Sequence, residues 1–319
     1  MKKTELHLHL EGAAPPAFVR ALAKEKRIDL PRLFDDKGNY AYRDFFEFLR
    51  LYESVTSLLT SPRDYARLLG EVLSERAEDG VIYCEIFIAP DFCGGGDLYA
   101  WQDHVAAMTE VAHSFRAQGI ECRAIATAVR HFGQDQSKRA ARCAAETSGG
   151  WCTGFGMGGA ETVGSAEDHA WAFDCAREAG LGLTCHAGEW AGPQSIREAL
   201  RLGVTRLGHG VRAVEDPALM RDLADRAITL ECCPGSNLAL GIYPDWHAHP
   251  IARLADAGVR VTISTDDPPF FKTTLRHEYE RLAEAFSWHD EDFRRMNLWA
   301  IEAAFCDTDT KTRLQKELS

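Results

Sequence analysis

The chain has 319 residues, of which 45% are hydrophobic and 26% are charged. This composition indicates a folded protein with a large core rather than a disordered chain. The 48 acidic residues outnumber the 36 basic ones and leave a net charge of -12. Such a charge disfavours nucleic acid or an anionic membrane surface as a partner and suits a small neutral or cationic molecule.

The start of the chain has two lysines but no apolar run after them, so no secretory signal is expected. No stretch approaches the roughly 18 apolar residues of a membrane helix. Ten cysteines are present without a Cys-x-x-Cys pair. We therefore expect reduced thiols in a cytoplasmic protein, rather than a disulfide framework or a thiolate metal site.

Short β-rich segments alternate with helical patterns along the chain. Strands are predicted at residues 4–8, 81–89, 121–129, 152–157, 181–186, 206–209, 227–232 and 259–264. Helical spacing is found at residues 103–118, 165–179 and 216–226. Gly119, Gly180 and Gly258 stand just before strands, where a helix end needs a left-handed residue. The alternation predicts an α/β fold, a closed (β/α)8 TIM barrel; an open doubly wound sheet is the alternative, disfavoured because no Gly-rich dinucleotide turn is present.

The connection between the first two strands is far longer than a barrel requires. It contains helical patterns at residues 14–26, 42–59 and 62–78. Long insertions at the carboxyl face of a barrel commonly cover the site, so we expect Phe48 in this segment to contact substrate; burial in a helical core is the equal alternative. Helices at 273–286, 290–304 and 311–318 are expected to complete a single domain of residues 1–319.

Two histidine pairs have the spacing of two that places side chains on one face of a strand. His7 and His9 lie on the first predicted strand, where that face is the barrel interior. His247 and His249 run into Pro250, and because proline suits the first turn of a helix, this pair is interpreted as a loop and helix start. Only the first pair is expected to bind metal.

Three further strands deliver residues of the same kind at their carboxyl ends. His186 ends the fifth strand and is followed by Glu189, His209 ends the sixth, and Asp266 and Asp267 follow the eighth. A single histidine in a strand is usually a core residue, but this coincidence favours a site, because barrel active sites lie at the carboxyl ends of the strands. Three imidazoles and a carboxylate suit zinc with one position open for water.

Four motifs together resemble those of the adenosine deaminase family, and the resemblance covers nearly the whole chain. They are His-Leu-His-Leu-Glu-Gly at residues 7–12, His-Ala-Gly-Glu at 186–189, Gly-His-Gly at 208–210 and Ser-Thr-Asp-Asp-Pro at 264–268. Residues 158–161, Gly-Gly-Ala-Glu, also resemble the Leu-Ala-Gly-x-Glu segment of that family. The resemblance implies one zinc ion per chain, with His7, His9, His186 and Asp266 as its ligands.

The resemblance also implies roles in a hydrolytic deamination at purine C6. Glu189 would protonate N1, His209 would orient the zinc-bound water and accept its proton, and Asp267 would contact the N7 side and the water. The backbone of Gly159 would donate towards N3, and Glu11 would face the sugar side. General chemistry agrees, since zinc lowers the pKa of water from about 15.7 to about 7 and a carboxyl must be protonated to donate.

The features that bear on the substrate point in opposite directions. Glu11 stands where adenosine enzymes usually carry aspartate, and its additional methylene reaches into the space of a ribose. Residues 157–161, however, resemble the nucleoside branch, although Gly156 replaces the usual aspartate. The expected substrate is adenosine or 2′-deoxyadenosine, converted to inosine or 2′-deoxyinosine and ammonia. Adenine, converted to hypoxanthine, is the alternative, followed by a modified adenine nucleoside.

Two other classes of protein share part of this pattern. A cyclic-amide hydrolase on the same barrel would have two metals, usually bridged by a lysine on the fourth strand, and residues 151–161 contain no lysine. A non-catalytic purine-binding barrel could lose its acid or base, whereas Glu189 and His209 are both present.

Some polar residues near the predicted site have less specific signals. Arg130 and His131 close the third strand and are expected to brace neighbouring loops rather than contact substrate. Glu231, Ser236 and Asn237, near the seventh strand, are interpreted as turn and hydrogen-bonding residues.

Overall fold

The eight predicted strands pair side by side in one parallel sheet. The structure, a computed structural model, describes residues 1–30 and 33–319, and in this part of the chain the strands follow one another in sequence order from β1 to β8. They are β1 Lys3–His9, β2 Val81–Ile88, β3 Glu121–Val129, β4 Cys152–Gly158, β5 Gly182–Ala187, β6 Arg206–His209, β7 Thr229–Cys232 and β8 Arg260–Ile263. Each overlaps its predicted strand, with ends that differ by at most two residues.

The sheet closes on itself where β1 meets the end of β8. Leu8 forms a parallel bridge with Asp266, the backbone N–H of Asp266 donates to His7 O at 3.1 Å, and that of His9 donates to Asp266 O at 3.0 Å. The predicted (β/α)8 barrel is therefore confirmed. The seam that closes it joins the two segments that carry the predicted metal ligands.

Helices surround the strands and fill the long connection after β1. That connection contains α1 Pro16–Lys26, α2 Phe45–Thr56 and α3 Pro62–Glu78. The helices of the shell are α4 Leu98–Arg116, α5 Gln134–Glu146, α6 Ala170–Glu178, α7 Pro193–Arg201, α8 Pro217–Asp225, α9 Pro234–Ala239, α10 Ile251–Asp256, α11 Pro268–Phe271, α12 Leu275–Phe286, α13 Asp290–Ala303 and α14 Thr308–Leu318. None of these helices, within the described ranges, has the length and apolar character to cross a membrane.

The helical prediction was incomplete where helices are short. Helices α9, α10 and α11 have six, six and four residues, which is less than the window over which helical periodicity can be recognised. The segment predicted as a helix at 165–179 begins with a 3-10 turn, Ala166–His169, before α6. The glycines expected at helix ends are confirmed, since Gly119, Gly180 and Gly258 have φ values of +94°, +78° and +85°.

Helix α2 lies over the carboxyl face of the barrel. Its start is fixed by Asp44, whose side chain accepts from the N–H of Glu47 at 2.9 Å, a standard N-cap. The ring of Phe45 lies 5.1 Å from that of Trp190, in the loop after β5, and the ring of Phe48 lies 5.2 Å from that of Phe271 in α11. These aromatic contacts place the insertion across the mouth of the barrel, as predicted.

Candidate active site

Side chains from β1, β5, β6 and the turn after β8 converge inside the barrel. Ligand atoms of His7, His186, His209 and Asp266 all lie within 4.8 Å of one another. His9 is also present, with Nε2 at 3.3 Å from Asp266 Oδ1 and 3.2 Å from His186 Nε2. The structure thus brings together all four residues expected to hold the metal, and the histidine expected to act beside it.

The partners of the ring nitrogens decide which lone pairs face this cluster. His7 Nδ1 lies 2.7 Å from Glu231 Oε2, and His186 Nδ1 lies 2.9 Å from Met157 O. A carboxylate and a carbonyl oxygen only accept, so both Nδ1 atoms donate and both Nε2 lone pairs remain for a cation. Buried His7 Nε2 lies 3.5 Å from Asp266 Oδ1, so these two atoms could share one cation.

The charges of the cluster also fit a bound cation. Burial opposes protonation of His7, but hydrogen bonds to Asp266 and Glu231 outweigh it and raise the pKa of His7 to about 9. Burial is likewise outweighed at Asp266, where hydrogen bonds from His7 and His9 hold the pKa well below its usual value. A cation among these rings would compensate the charge of the buried carboxylates. Imidazole and carboxylate donors suit zinc and related divalent metals.

Two of these residues have strained backbone. His209 has a φ of 60° and Asp266 a φ of 66°, in the left-handed region that costs a non-glycine residue about 1–3 kcal/mol. Asp266 is held in place by the Ser236 hydroxyl, which donates to Oδ2 at 2.7 Å. Such strain persists only where the surroundings enforce it, and it concentrates at functional positions.

Glu189 lies in the loop after β5, and the buried carboxylate of Glu161 holds this loop through hydrogen bonds. Glu161 accepts hydrogen bonds from four consecutive backbone N–H groups and one hydroxyl: Gly188 N at 2.5 Å, Glu189 N at 3.0 Å, Trp190 N at 2.7 Å, Ala191 N at 3.0 Å and Ser195 Oγ at 2.5 Å. Burial and the nearby Asp266 raise the pKa of Glu189 well above its usual value. The raised pKa favours the protonated carboxyl, which is the form that can donate a proton.

Asp267 lines the same pocket as Glu189. Burial and the charge of Asp266 raise the pKa of Asp267, and across residues 1–30 and 33–319 its Oδ1 has no hydrogen-bond partner. A Cβ at Gly12 would lie 1.6 Å from that oxygen, so only glycine at position 12 leaves room for this carboxyl. The unpaired oxygen points to a partner supplied by a ligand.

A pocket opens above the cluster under helix α2. It is lined by His9, Glu11, Phe45, Phe48, Leu49, Tyr52, Glu53, Ala89, Phe92, Thr127, Val129, His131, Gly158, Gly159, His186, Glu189, His209, Leu240, Asp266, Asp267 and Phe271. Every residue that the sequence assigned to catalysis or substrate contact lies on this wall. The lining is aromatic and aliphatic with a few convergent polar groups, as small-molecule sites usually are.

Glu11 closes one side of the pocket in contact with the insertion. It accepts from Tyr52 of α2 at 3.3 Å, from Tyr65 of α3 at 3.4 Å and from the N–H of Ala89 at 3.4 Å. Burial raises the pKa of Glu11 to about 7. Neither tyrosine was predicted, because their position over Glu11 depends on how the insertion folds back onto the barrel.

Arg130 and His131 both contact neighbouring loops, and His131 also lines the pocket. Arg130 donates to Glu161 O at 3.1 Å and to His186 O at 2.8 Å, and so braces the loops after β4 and β5. His131 lines the pocket and accepts from the N–H of Ala160 at 3.2 Å. A Cβ on Gly159, whose φ is +90°, would lie 2.8 Å from His131 Nδ1.

The residues near β7 support the cluster. Glu231 accepts from His7, Thr184 at 2.9 Å and Arg206 at 2.7 Å, and thus connects His7 of the cluster to the buried guanidinium of Arg206. Asn237 lies between His209 and His249. The sequence indicated hydrogen-bonding residues here, and an acidic side chain on a short buried strand was the available signal for Glu231.

A barrel of parallel strands with histidines and an aspartate gathered at their carboxyl ends defines a metal-dependent hydrolase. The chain belongs to the adenosine deaminase family, whose family model, described as adenosine deaminase, matches residues 2–319. It is a hydrolytic deaminase that acts on a C–N bond.

Individual relatives align from end to end. The adenine deaminase of Rhizobium rhizogenes is 46% identical over 323 residues, covering 100% of this chain and 99% of the relative. That of Agrobacterium fabrum is 46% identical over 322 residues, covering 99% and 97%. The crystal structure of adenine deaminase from Arthrobacter aurescens is similar, with a TM-score of 0.91, 26% identity and coverage of 99% and 97%. A zinc-bound amidohydrolase from Burkholderia ambifaria has a TM-score of 0.89, 25% identity and coverage of 100% and 89%.

Proposed function

We propose that this protein converts adenine and water to hypoxanthine and ammonia with one zinc ion per chain. The observation that carries the proposal is the name shared by relatives at 44–46% identity, which are adenine deaminases. The pocket supports it. Glu11, one methylene longer than the aspartate expected of adenosine enzymes, lies buried against Tyr52 and Tyr65 on the side where a ribose would need space.

The sequence alone favoured adenosine or 2′-deoxyadenosine, because residues 157–161 resemble the nucleoside branch. The comparisons favour adenine over that expectation. Gly159 lines the pocket, but a Cβ at this position would lie 2.8 Å from His131 Nδ1, so the similarity of this segment to the nucleoside branch does not by itself create room for a sugar. Adenosine and modified adenine nucleosides become the competitors against which adenine is tested.

The metal would be held by His7, His9, His186 and Asp266. His7 and His186 turn their Nε2 lone pairs away from their Nδ1 partners, and His9 Nε2 lies 3.2 Å from His186 Nε2 and 3.3 Å from Asp266 Oδ1. When bound there, a zinc ion lowers the pKa of water to about 7 and makes hydroxide available at neutral pH. The family is metal-dependent, and a structural relative contains zinc. A single ion agrees with the absence of lysine from residues 151–161, since lysine usually bridges a second metal in related barrels.

The remaining polar groups act on the purine. Glu189, whose pKa is raised by burial, gives its proton to N1, which makes C6 more electrophilic. Asp267, whose pKa is raised by burial and by the charge of Asp266, donates from its carboxyl to N7. The N–H of Gly159 donates towards N3, and His209 orients the attacking water. Water adds its oxygen at C6, and the proton that it loses restores Glu189. The new C6 hydroxyl gives its proton to the exocyclic amine, the C6–N6 bond breaks, and ammonia leaves as the C6 oxygen becomes the carbonyl of hypoxanthine.

Helix α2 completes the chemistry by excluding bulk water. Phe48 is 5% exposed and forms part of the pocket wall with Phe45 and Leu49. We propose that the adenine ring lies against Phe48. An apolar cover strengthens the hydrogen bonds of Glu189 and Asp267 to the ring, because the local dielectric constant is lower than in water.

The test is a comparison of kcat/KM for adenine, adenosine, 2′-deoxyadenosine and N6-methyladenosine on zinc-loaded protein, followed by ultraviolet absorbance. Adenine is expected to be the best substrate. A higher kcat/KM for any nucleoside would overturn the proposal.

Glu11→Asp tests why adenine is preferred. The shorter side chain withdraws from Tyr52 and Tyr65 and opens space beside N9, so the ratio of kcat/KM for adenosine to that for adenine should rise roughly 10-fold, the scale of one methylene in a pocket. Glu71→Asp, at an exposed position on α3, is the matched control and should leave the ratio unchanged. An unmoved ratio in Glu11→Asp would remove Glu11 as the discriminator.

A further inference from the structure

A chain of three hydrogen bonds connects the start of helix α10 to the candidate site. The backbone N–H of Ile251 donates to His249 Nδ1 at 3.3 Å. His249 Nε2 lies 3.1 Å from Asn237 Oδ1, and Asn237 Nδ2 lies 3.5 Å from His209 Nδ1. His249, Asn237 and His209 are 2%, 0% and 1% exposed, so water does not compete for these contacts. The second His-x-His pair of the sequence therefore reaches the site, through its second member.

The donor and the acceptor of each hydrogen bond in this series follow from the backbone N–H with which the series begins. A backbone N–H can only donate, so His249 Nδ1 accepts and, in the neutral ring, Nε2 carries the proton. That proton goes to Asn237 Oδ1, which turns the amide nitrogen towards His209. An amide NH2 only donates, so His209 Nδ1 accepts. Because both Nδ1 atoms accept a hydrogen bond, neither ring carries a proton at Nδ1, and both rings are therefore neutral.

The neutral His209 ring therefore carries its proton on Nε2, the nitrogen that faces the pocket. This atom lies 3.8 Å from Glu189 Oε1 and 3.9 Å from Asp266 Oδ2. A protonated nitrogen has no lone pair for a cation, although His209 belongs to the cluster of close ligand atoms. His7 and His186 differ, because their Nδ1 atoms face acceptors and leave Nε2 free.

We propose that His249 is a positioning residue that, through Asn237, holds His209 as its Nε2–H tautomer. In this state His209 stays out of the metal's ligand set and presents a hydrogen-bond donor to the attacking water. The proposal rests on the proposed function, which identifies the purine that the water attacks. It replaces the proton-accepting role that the family resemblance implied for His209. No base is needed there if hydroxide is already available at neutral pH.

The direct test is the tautomer of His209 in the zinc-loaded protein. Long-range 1H–15N correlation spectra of 15N-histidine-labelled protein separate protonated from unprotonated ring nitrogens, and the signals absent from His209→Gln assign the ring. We expect an unprotonated Nδ1 and a protonated Nε2. A protonated Nδ1 in the wild-type protein would overturn the proposal, and this result does not depend on which purine is the substrate.

Substitutions along the chain test its origin. Asn237→Asp puts an acceptor beside His209 Nδ1 and should move the proton there, while His249→Phe should leave the two tautomers mixed. Both should lower kcat for adenine about 10- to 100-fold, as for other groups that orient a site residue, with little change in KM. His249→Gln can still donate to Asn237 Oδ1 and should recover much of the loss.

His247→Phe is the matched control, because His247 is two residues away and exposed; its spectrum and kcat should equal those of the wild type. An unchanged His209 tautomer in both Asn237→Asp and His249→Phe would overturn the proposal. If the wild-type protein showed the expected tautomer but preferred a nucleoside, only the proposed substrate would fail.

Discussion

The residues that face the pocket differ in charge although several are chemically alike. Asp266 and Asp267 are adjacent, yet hydrogen bonds from His7 and His9 lower the pKa of Asp266 while burial and its charged neighbour raise the pKa of Asp267. One aspartate is thereby suited to bind a cation and the other to donate a hydrogen bond. Separation of the pKa values of adjacent carboxyl groups is how acid and ligand roles are divided in active sites.

Glu189→Gln tests the acid role. The amide keeps the shape of the side chain but cannot deliver a proton, so turnover should fall about 10²- to 10⁴-fold, the usual contribution of a general acid. Zinc content should stay at one per chain, because Glu189 is outside the proposed ligand set. Steady-state kinetics and elemental analysis of the same sample decide the matter, and near-normal turnover would contradict the assignment.

At the scale of elements, the short helix α9 connects the shell to the site. It carries Ser236 and Asn237, and its position depends on Glu278 of α12, which accepts from Gly235 N at 2.9 Å and from Thr273 Oγ1 at 2.6 Å. A Cβ at Gly235 would lie 2.1 Å from the Glu278 carboxyl, so the contact is close. Burial raises the pKa of Glu278 to about 8.

This contact predicts a pH-dependent stability. The folded-state pKa of Glu278 is raised above its ordinary value of 4.5, so its full contribution is present below about pH 4.5 and is lost as the pH rises to about 8. Glu278→Gln stays neutral, and its advantage in free energy of unfolding over the wild type should grow across that window by a few kcal/mol.

Urea denaturation at pH 5, 7 and 9 measures this difference. Glu280→Gln, an exposed position on the same helix, serves as the control and should show no such trend. A difference between Glu278→Gln and the wild type that is the same at all three pH values would show that Glu278 is ionised throughout.

At the scale of the whole molecule, the barrel closes where the ligands lie. His7 and His9 of β1 and Asp266 after β8 meet across the seam, so a bound metal would connect the first and last strands. Below it, Arg206 pairs with Glu231 at 2.7 Å and with Glu85 at 2.6 Å. The barrel interior is therefore a network of charges in which a bound metal would supply the upper cation.

Removal of the metal should therefore weaken the fold. A ligand present at 100 times its Kd stabilises the native state by about 2.7 kcal/mol, which corresponds to a fall in Tm of roughly 5 °C when a chelator removes it. Calorimetry with and without chelator, followed by addition of zinc, measures the fall and its recovery. Asp266→Ala, which lacks one ligand, should not respond to the chelator, and an equal response in that variant would contradict the proposed ligand set.

The parts of this description that the sequence could predict are those with local signals. Alternating strands and helices predicted the barrel, and His7, His9, His186 and Asp266 could be grouped because parallel strands end at one face. The support of Glu189 by Glu161 and the covering of Glu11 by Tyr52 were not predictable. They depend on how separate loops fold over one another, for which a single sequence has no periodic signal.

The choice of substrate was the weakest inference from the sequence, because it too depends on contacts between distant segments. Glu11 is adjacent in sequence to a ligand motif, but the space around it is set by α2 and α3, more than forty residues away. The segment around Gly159 resembles the nucleoside branch in sequence, but the sequence does not show which side chains surround it in the folded pocket. Only the folded pocket and the relatives together favour adenine.

The most direct measurement of the central claim is anomalous diffraction at the zinc edge from crystals of the zinc-loaded protein. One peak per chain should appear at about 2.0–2.2 Å from Nε2 of His7, His9 and His186 and from a carboxylate oxygen of Asp266, with His209 outside the ligand distance. Two peaks in the barrel, a peak coordinated by His209, or a peak away from these four side chains would contradict the account.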